Sequence, residues 1–255
     1  AQRLAIDIIG FSRGAALARH FGNALLQHTQ LGWFHYEDEF GRHYAACIEP
    51  RFLGLFDTVA QFGLLGSHNH LYDLSVAPEW AWVAHAVALN EYRQLFPLYS
   101  IESAPGEALA PNRVQAGFIG NHGDLGGGHS ASRHGDLAQL PLAWMIWQAQ
   151  SLGLAFAQAE GAALQDITEP ILHDDRLPFA RYLNTDRHVQ MPQHSAPQWL
   201  HPHIGQSVRD EVQAFIEYFS DWQRRDSPAV GRVDLEAYYQ WLEQNLHWRP
   251  ITAVN

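Results

Sequence analysis

The sequence predicts an α/β fold, a parallel sheet flanked by helices. Two observations carry that expectation: an isoleucine-rich apolar run at the start of the chain, and alternating strand-like and helix-like segments through the first 150 residues. A third is size, since 255 residues that are 47% hydrophobic and 12% aromatic bury a substantial core, as one α/β domain or as a domain plus a cap. Leu4 to Ile9 reads as a strand, followed at once by Gly10 and by Ala15, Ala16, Leu17, Ala18, Phe21 and Leu25 at helical spacing. Arg51 to Phe56 and Val114 to Ile119 read as two further buried strands bounded by Pro, Gly or Asn. Between them Ser75 caps an expected helix with Pro78 in its first turn and Trp80, Val83, Ala84, Val87 and Leu95 on its apolar face. The next expected helix runs from Asp136 or Leu137 to Leu152. Residues 166–206 are rich in Pro, His, Asp and Gln and lack a period, which predicts a long irregular excursion able to cover a site. Two helices close the chain, Val208 to Trp222 and Asp234 to Leu246, the second capped by Asp234. The expected division is a catalytic core over 1–150 and a helical and irregular cap over 151–255.

Composition narrows the function. A net charge of -11 with no basic cluster argues against a nucleic-acid partner. The single Cys47 excludes an intrachain disulfide and any cysteine-held metal cluster, and it reads as a small buried residue. The 16 histidines are scattered, with no His-Glu-x-x-His pair, so neither a metal nor another cofactor is expected. No run of about 18 apolar residues is present, so any action on membranes would come from the water side.

Gly10-Phe11-Ser12-Arg13-Gly14 fits Gly-x-Ser-x-Gly, a strained strand-to-helix turn that exposes a serine. An apolar strand before it and an Ala-rich helix after it favour a nucleophile over an ordinary helix cap. The nucleophile needs a base, and the base an orienting carboxylate. In α/β-hydrolase-like chains they follow in the order Ser, Asp or Glu, His, each after a later strand. Asp57 and His122 occupy those places. His129, beyond the run Gly126-Gly127-Gly128, is the alternate base, and Asp124 a second-choice carboxylate that could bond within its own loop. His203 could fold over the site. The three glycines either admit a close ligand or form a tight loop. Gly10 and Gly14 support the turn, and the backbone N–H of Arg13 supplies one oxyanion donor at the helix start.

The blocks Leu4–Ala15, Arg51–Val59, Val83–Arg93 and Gly117–Gly128 together resemble the signature blocks of the Tle-type phospholipase effectors of bacterial type VI secretion. The resemblance implies an acyl-ester hydrolase of membrane phospholipids with Ser12 as nucleophile, Asp57 as carboxylate and His122 as base. It implies an enzyme made in the bacterial cytoplasm and secreted, acting in the periplasm of a target cell. Its implied partners are a phospholipid membrane surface, an immunity protein in the producer and a component of the secretion apparatus. The family's Asp-Gly-Thr block, which lies near the oxyanion hole, is not among these residues; either the chain is a fragment of a longer protein or preceding segments are absent from this sequence. The rival readings are a soluble carboxylesterase or acyltransferase with the same triad, and a non-catalytic binding domain with a vestigial elbow.

Overall fold

The computed structural model describes residues 2–104, 106–129, 136–156, 167–183, 185–191, 195–196 and 204–250. Strand β1 (Gln2–Phe11) runs directly into helix α1 (Arg13–Gln27). A hairpin follows, β2 (Trp33–Glu37) and the long β3 (His43–Phe56), then β4 (Trp82–Ala88), the short β5 (Leu98–Tyr99) and β6 (Arg113–Phe118). Beyond them come helices α2 (His122–Gly126) and α3 (Gln139–Gln150), then strands β7 (Ile171–His173), β8 (Val189–Gln190) and β9 (Ser195–Ala196). The chain continues with α4 (Gln206–Gln213), β10 (Ile216–Tyr218), β11 (Ala229–Val233) and α5 (Leu235–Leu246).

The main sheet has the order β1-β3-β4-β6, all parallel, with β2 antiparallel on the first half of β3. Side chains alternate across it as a pleated strand requires. Leu53 and Leu55 join Ala15 and Ala18 of α1 in one cluster, while Phe52 and Phe56 join Leu140, Trp144 and Met145 on the opposite face. That second cluster also takes in Leu172, Val212, Tyr238, Leu242 and Trp248, so the later segments pack against the sheet. Two small sheets, β10-β11-β7 and β5-β8-β9, complete the fold. No helix among the described residues is long and apolar enough to cross a membrane.

The α/β architecture is the expected one, with four corrections. The expected helix between Ser75 and Leu95 is instead strand β4. All but the first of its seven residues are buried, and a strand covered on both faces has no alternation to separate it from a helix. Ser75 caps nothing and instead bonds Asp73 through its hydroxyl at 2.6 Å. The expected helix from Val208 to Trp222 stops at Gln213, because Ile216–Tyr218 pairs with β11. Cys47 is only half-buried, and the hairpin strand β2 was not anticipated. Expected helices at 136–152 and 234–246 are present, the latter with Asp234 accepting from Ala237 N at 3.2 Å.

Candidate active site

Three turns at the carboxyl ends of β1, β3 and β6 carry Ser12, Asp57 and His122, the end of a parallel sheet where reactive groups gather. Ser12 sits at φ 56°, ψ -125°, a left-handed conformation costly for a side-chain-bearing residue. It is held there by backbone bonds, Ser12 N to Phe56 O at 3.0 Å and Ala15 N to Ser12 O at 3.0 Å. The tightness falls on Gly10, where a Cβ would lie 2.4 Å from Gly14 O. A Cβ on Gly14 would meet nothing within 4 Å, so only the first glycine of the motif is sterically required. The Arg13 N–H opens α1, whose first turn holds no acidic residue to compete for an anion.

Asp57, at φ 40°, is fully buried. Its Oδ2 accepts from His122 Nδ1 at 2.7 Å and from Arg187 Nη1 at 2.7 Å, and its Oδ1 accepts from Arg187 Nη2 at 2.6 Å and from Ala88 N at 2.9 Å. Burial alone would raise the Asp57 pKa, but the Arg187 charge and the hydrogen bonds from His122 and Arg187 outweigh it and hold the carboxyl well below the usual range. Behind it, Thr58 N donates to His85 Nε2 at 3.2 Å, and burial, reinforced by the Arg19 charge, pushes this histidine's pKa down to about 3.

His122 is the first residue of α2, which Asn121 and Asp124 close with a reciprocal capping box. Its backbone N donates to Glu91 Oε2 at 3.3 Å, and its ring lies between Phe11 at 4.5 Å and Phe96 at 5.2 Å. Phe11 immediately precedes Ser12, so the serine turn and the histidine turn touch through this ring. No hydrogen bond joins Ser12 to His122 among the described residues; catalytic pairs of this type often tighten only when substrate binds. Phe11 also explains Gly126, where a Cβ would fall 2.2 Å from the ring, and Gly127 is the left-handed cap of α2 at φ 73°. These two glycines therefore serve packing and a tight turn.

His129 stands apart from Asp57. It stacks on His173 with ring centroids 3.8 Å apart, and its Nε2 lies 3.9 Å from Asp124 Oδ1 and 3.8 Å from Asp175 Oδ1. Burial lowers its pKa against the opposing pull of Asp124. Asp124 bonds within its loop, accepting from Asn121 N at 3.0 Å, and also binds His173. His203 lies outside the described residues. Arg187 was missed by the sequence reading; a lone arginine 130 residues from its carboxylate gives no local signal.

Residues 27–148 match the family model of the Tle1-like phospholipase effector of type VI secretion, catalytic domain. The matched segment contains Asp57 and His122 and begins after Ser12. A solved structure of an uncharacterized protein from Pseudomonas aeruginosa is 29% identical, over 60% of this chain and 24% of its own, at a TM-score of 0.43. The structure of a Tle1 effector bound to the VgrG spike of the type 6 secretion system is 29% identical, over 49% of this chain and 25% of its own, at a TM-score of 0.34. The chain thus spans about a quarter of the length of these solved proteins. Comparison with curated proteins gave no match. The family resemblance read from the sequence is borne out by this match, which takes in three of the four blocks, Arg51–Val59, Val83–Arg93 and Gly117–Gly128.

Proposed function

We propose that this chain, a relative of the Tle1-like effectors, is the hydrolase portion of a serine phospholipase cleaving acyl esters of membrane lipids. The observation that carries this reading is the Asp57–His122 hydrogen bond, 2.7 Å long, at the same sheet edge as a serine strained to φ 56°. An ionised Asp57 only accepts, so His122 Nδ1 keeps the proton and Nε2 is left basic. Nε2 takes the Ser12 proton as Oγ attacks the ester carbonyl. The oxyanion forms against the Arg13 N–H, the leaving alcohol takes the proton from His122, and water then releases the fatty acid by the reverse sequence. These steps need no cofactor. By analogy with the VgrG-bound effector, we assign this protein a spike component as secretion partner. We further assign it action in the periplasm of a target bacterium and an immunity protein in the producer.

The full-length protein should release fatty acid from phospholipid vesicles and react with a fluorophosphonate at Ser12, and Ser12→Ala should lose both. Hydrolysis of short soluble esters without vesicle activity would make the protein a carboxylesterase. Failure to label Ser12 would make the elbow vestigial.

The cap proposed for residues 151–255 centres on the stretch after β7. There Leu177, Phe179, Tyr182 and Leu183 are exposed, and the following segment delivers Arg187 to Asp57. Apolar side chains so placed would enter a lipid interface. Of the other apolar residues that the sequence places in this excursion, Met191 is buried, and Trp199 and Leu200 lie outside the described residues. Replacing Leu177 and Phe179 by Ser should lower activity on vesicles at least about tenfold more than on a soluble ester, consistent with losing two buried apolar groups at about 1.5–3 kcal/mol each. Equal losses on both substrates would assign these residues to folding.

A further inference from the structure

Helix α2 carries His122 and, two residues on, Asp124, which belongs to a second polar cluster that the proposed reaction does not use. Asp124 Oδ1 lies 2.6 Å from His173 Nδ1 and 3.9 Å from His129 Nε2. Asp175 Oδ1 approaches the same Nε2 at 3.8 Å. One ligand atom from each of Asp124, His129 and His173 lies within 4.8 Å of the other two. His129 supplies the unusual element. Its side chain is only 10% exposed, and its Nε2 is buried without a hydrogen-bond partner among the described residues. Native proteins satisfy nearly all such atoms, so an orphaned imidazole nitrogen aimed between two carboxylates calls for a ligand.

We propose that Asp124, His129 and His173 form a binding site for a divalent cation of the zinc class, with Asp175 beside the fourth position. The donor set favours this class. Two imidazoles with carboxylate oxygen suit zinc, whereas calcium and magnesium prefer shells made of oxygen alone. Ligand atoms about 2.0–2.2 Å from a tetrahedral ion stand roughly 3.3–3.5 Å from one another. The 3.9 Å and 3.8 Å approaches of His129 Nε2 are within about half an ångström of that spacing. The Asp124–His173 contact, at 2.6 Å, opens by less than about 1 Å as the ion enters between them. His173 also lines a neighbouring cleft of about 400 Å³. Neither Ser12 nor His122 is a ligand, and the ion would act by tying α2 to β7, holding the turn that presents His122.

The test is zinc titration of chelator-treated, full-length protein, read by calorimetry and by the melting temperature. One equivalent should bind and raise the melting temperature by several degrees. His129→Ala removes a ring nitrogen with no hydrogen-bond partner among the described residues, so it should fold. It should weaken binding more than tenfold, the least that even the groups behind metal ligands typically cost, and abolish the thermal shift. His129→Gln replaces it should the alanine variant melt early. The exposed pair His68 and His70 provides the control, and His68→Ala with His70→Ala should bind zinc as wild type does. Absence of stoichiometric zinc, unchanged affinity in His129→Ala, loss of binding only in the His68/His70 variant, or a larger shift with calcium would each overturn the assignment. Zinc binding is read without turnover, so it stands or falls independently of the hydrolase reading.

Discussion

Helix α2 takes part in two carboxylate–histidine pairs, Asp57–His122 and Asp124–His173, whose contacts are nearly equal in length at 2.7 and 2.6 Å. Their surroundings differ. Asp57 is met by a bidentate arginine and a backbone N–H, so its charge is neutralised and its position held from several sides. Asp124 has no arginine bonded to it among the described residues; its carboxylate is spent on capping α2 and on His173, with a second histidine at close range. In the readings proposed above, the same pair of residue types serves proton transfer in one place and a framework or ligand role in the other. The distinction lies in the counter-charge that each carboxylate meets.

The sharpest way to break this comparison is to blunt each carboxylate in turn. Asp57→Asn should lower kcat on vesicles by about 10⁴-fold, the usual cost of fixing the wrong histidine tautomer, whereas Asp124→Asn should lower the melting temperature and leave kcat within about tenfold. Equal losses of turnover would mean that both pairs belong to one catalytic network.

A second experiment removes the counter-charge. Breaking a buried ion pair by deleting one partner typically costs about 3–5 kcal/mol, so Arg187→Met should lose that much in urea unfolding at neutral pH. The sign with pH follows from Asp57. Its folded pKa is depressed, so the stability it confers is complete above the unfolded value of about 3.9 and is lost as the pH falls through the folded value. The gap between wild type and variant should therefore narrow as the pH is lowered towards and below about 3.9. A gap that widens in acid would contradict the ion-pair account.

The smallest contrast lies within the serine turn. Gly10→Ala drives a Cβ into Gly14 O and should cost about 1–3 kcal/mol together with fluorophosphonate labelling. Gly14→Ala, pointing into open space at the start of α1, should be neutral or stabilising by up to about 1 kcal/mol in the same assays. Equal damage from both would restore the symmetric reading of the motif.

What could be read from the sequence was local. The run from Leu4 to Gly14 announced strand, turn and helix because each step has its own signature, and strand-end positions brought Asp57 and His122 into view. Where burial was complete the pattern failed. Val83, Ala84 and Val87 fit a helix face as well as a central strand, and only the neighbours β3 and β6 decide between them. Ile216 to Tyr218 continued an apolar spacing that its pairing with β11 overrode. The hairpin strand Trp33–Glu37 left only a weak alternation beside the turn at Gly41. Arg187, His173 and Asp175 reach the two clusters from far along the chain, and no periodicity foretells a single long-range partner.

The pairing of Asp57 with Arg187 also sets an order of events during synthesis. The two residues are 130 positions apart, so a nascent chain exposes Ser12, Asp57 and His122 well before it can supply the arginine. Without that guanidinium, burial of Asp57 favours its protonated form, which carries no negative charge to stabilise an imidazolium at His122. In the proposed reading the counter-charged carboxylate is therefore complete only once the segment carrying Arg187 has emerged and docked.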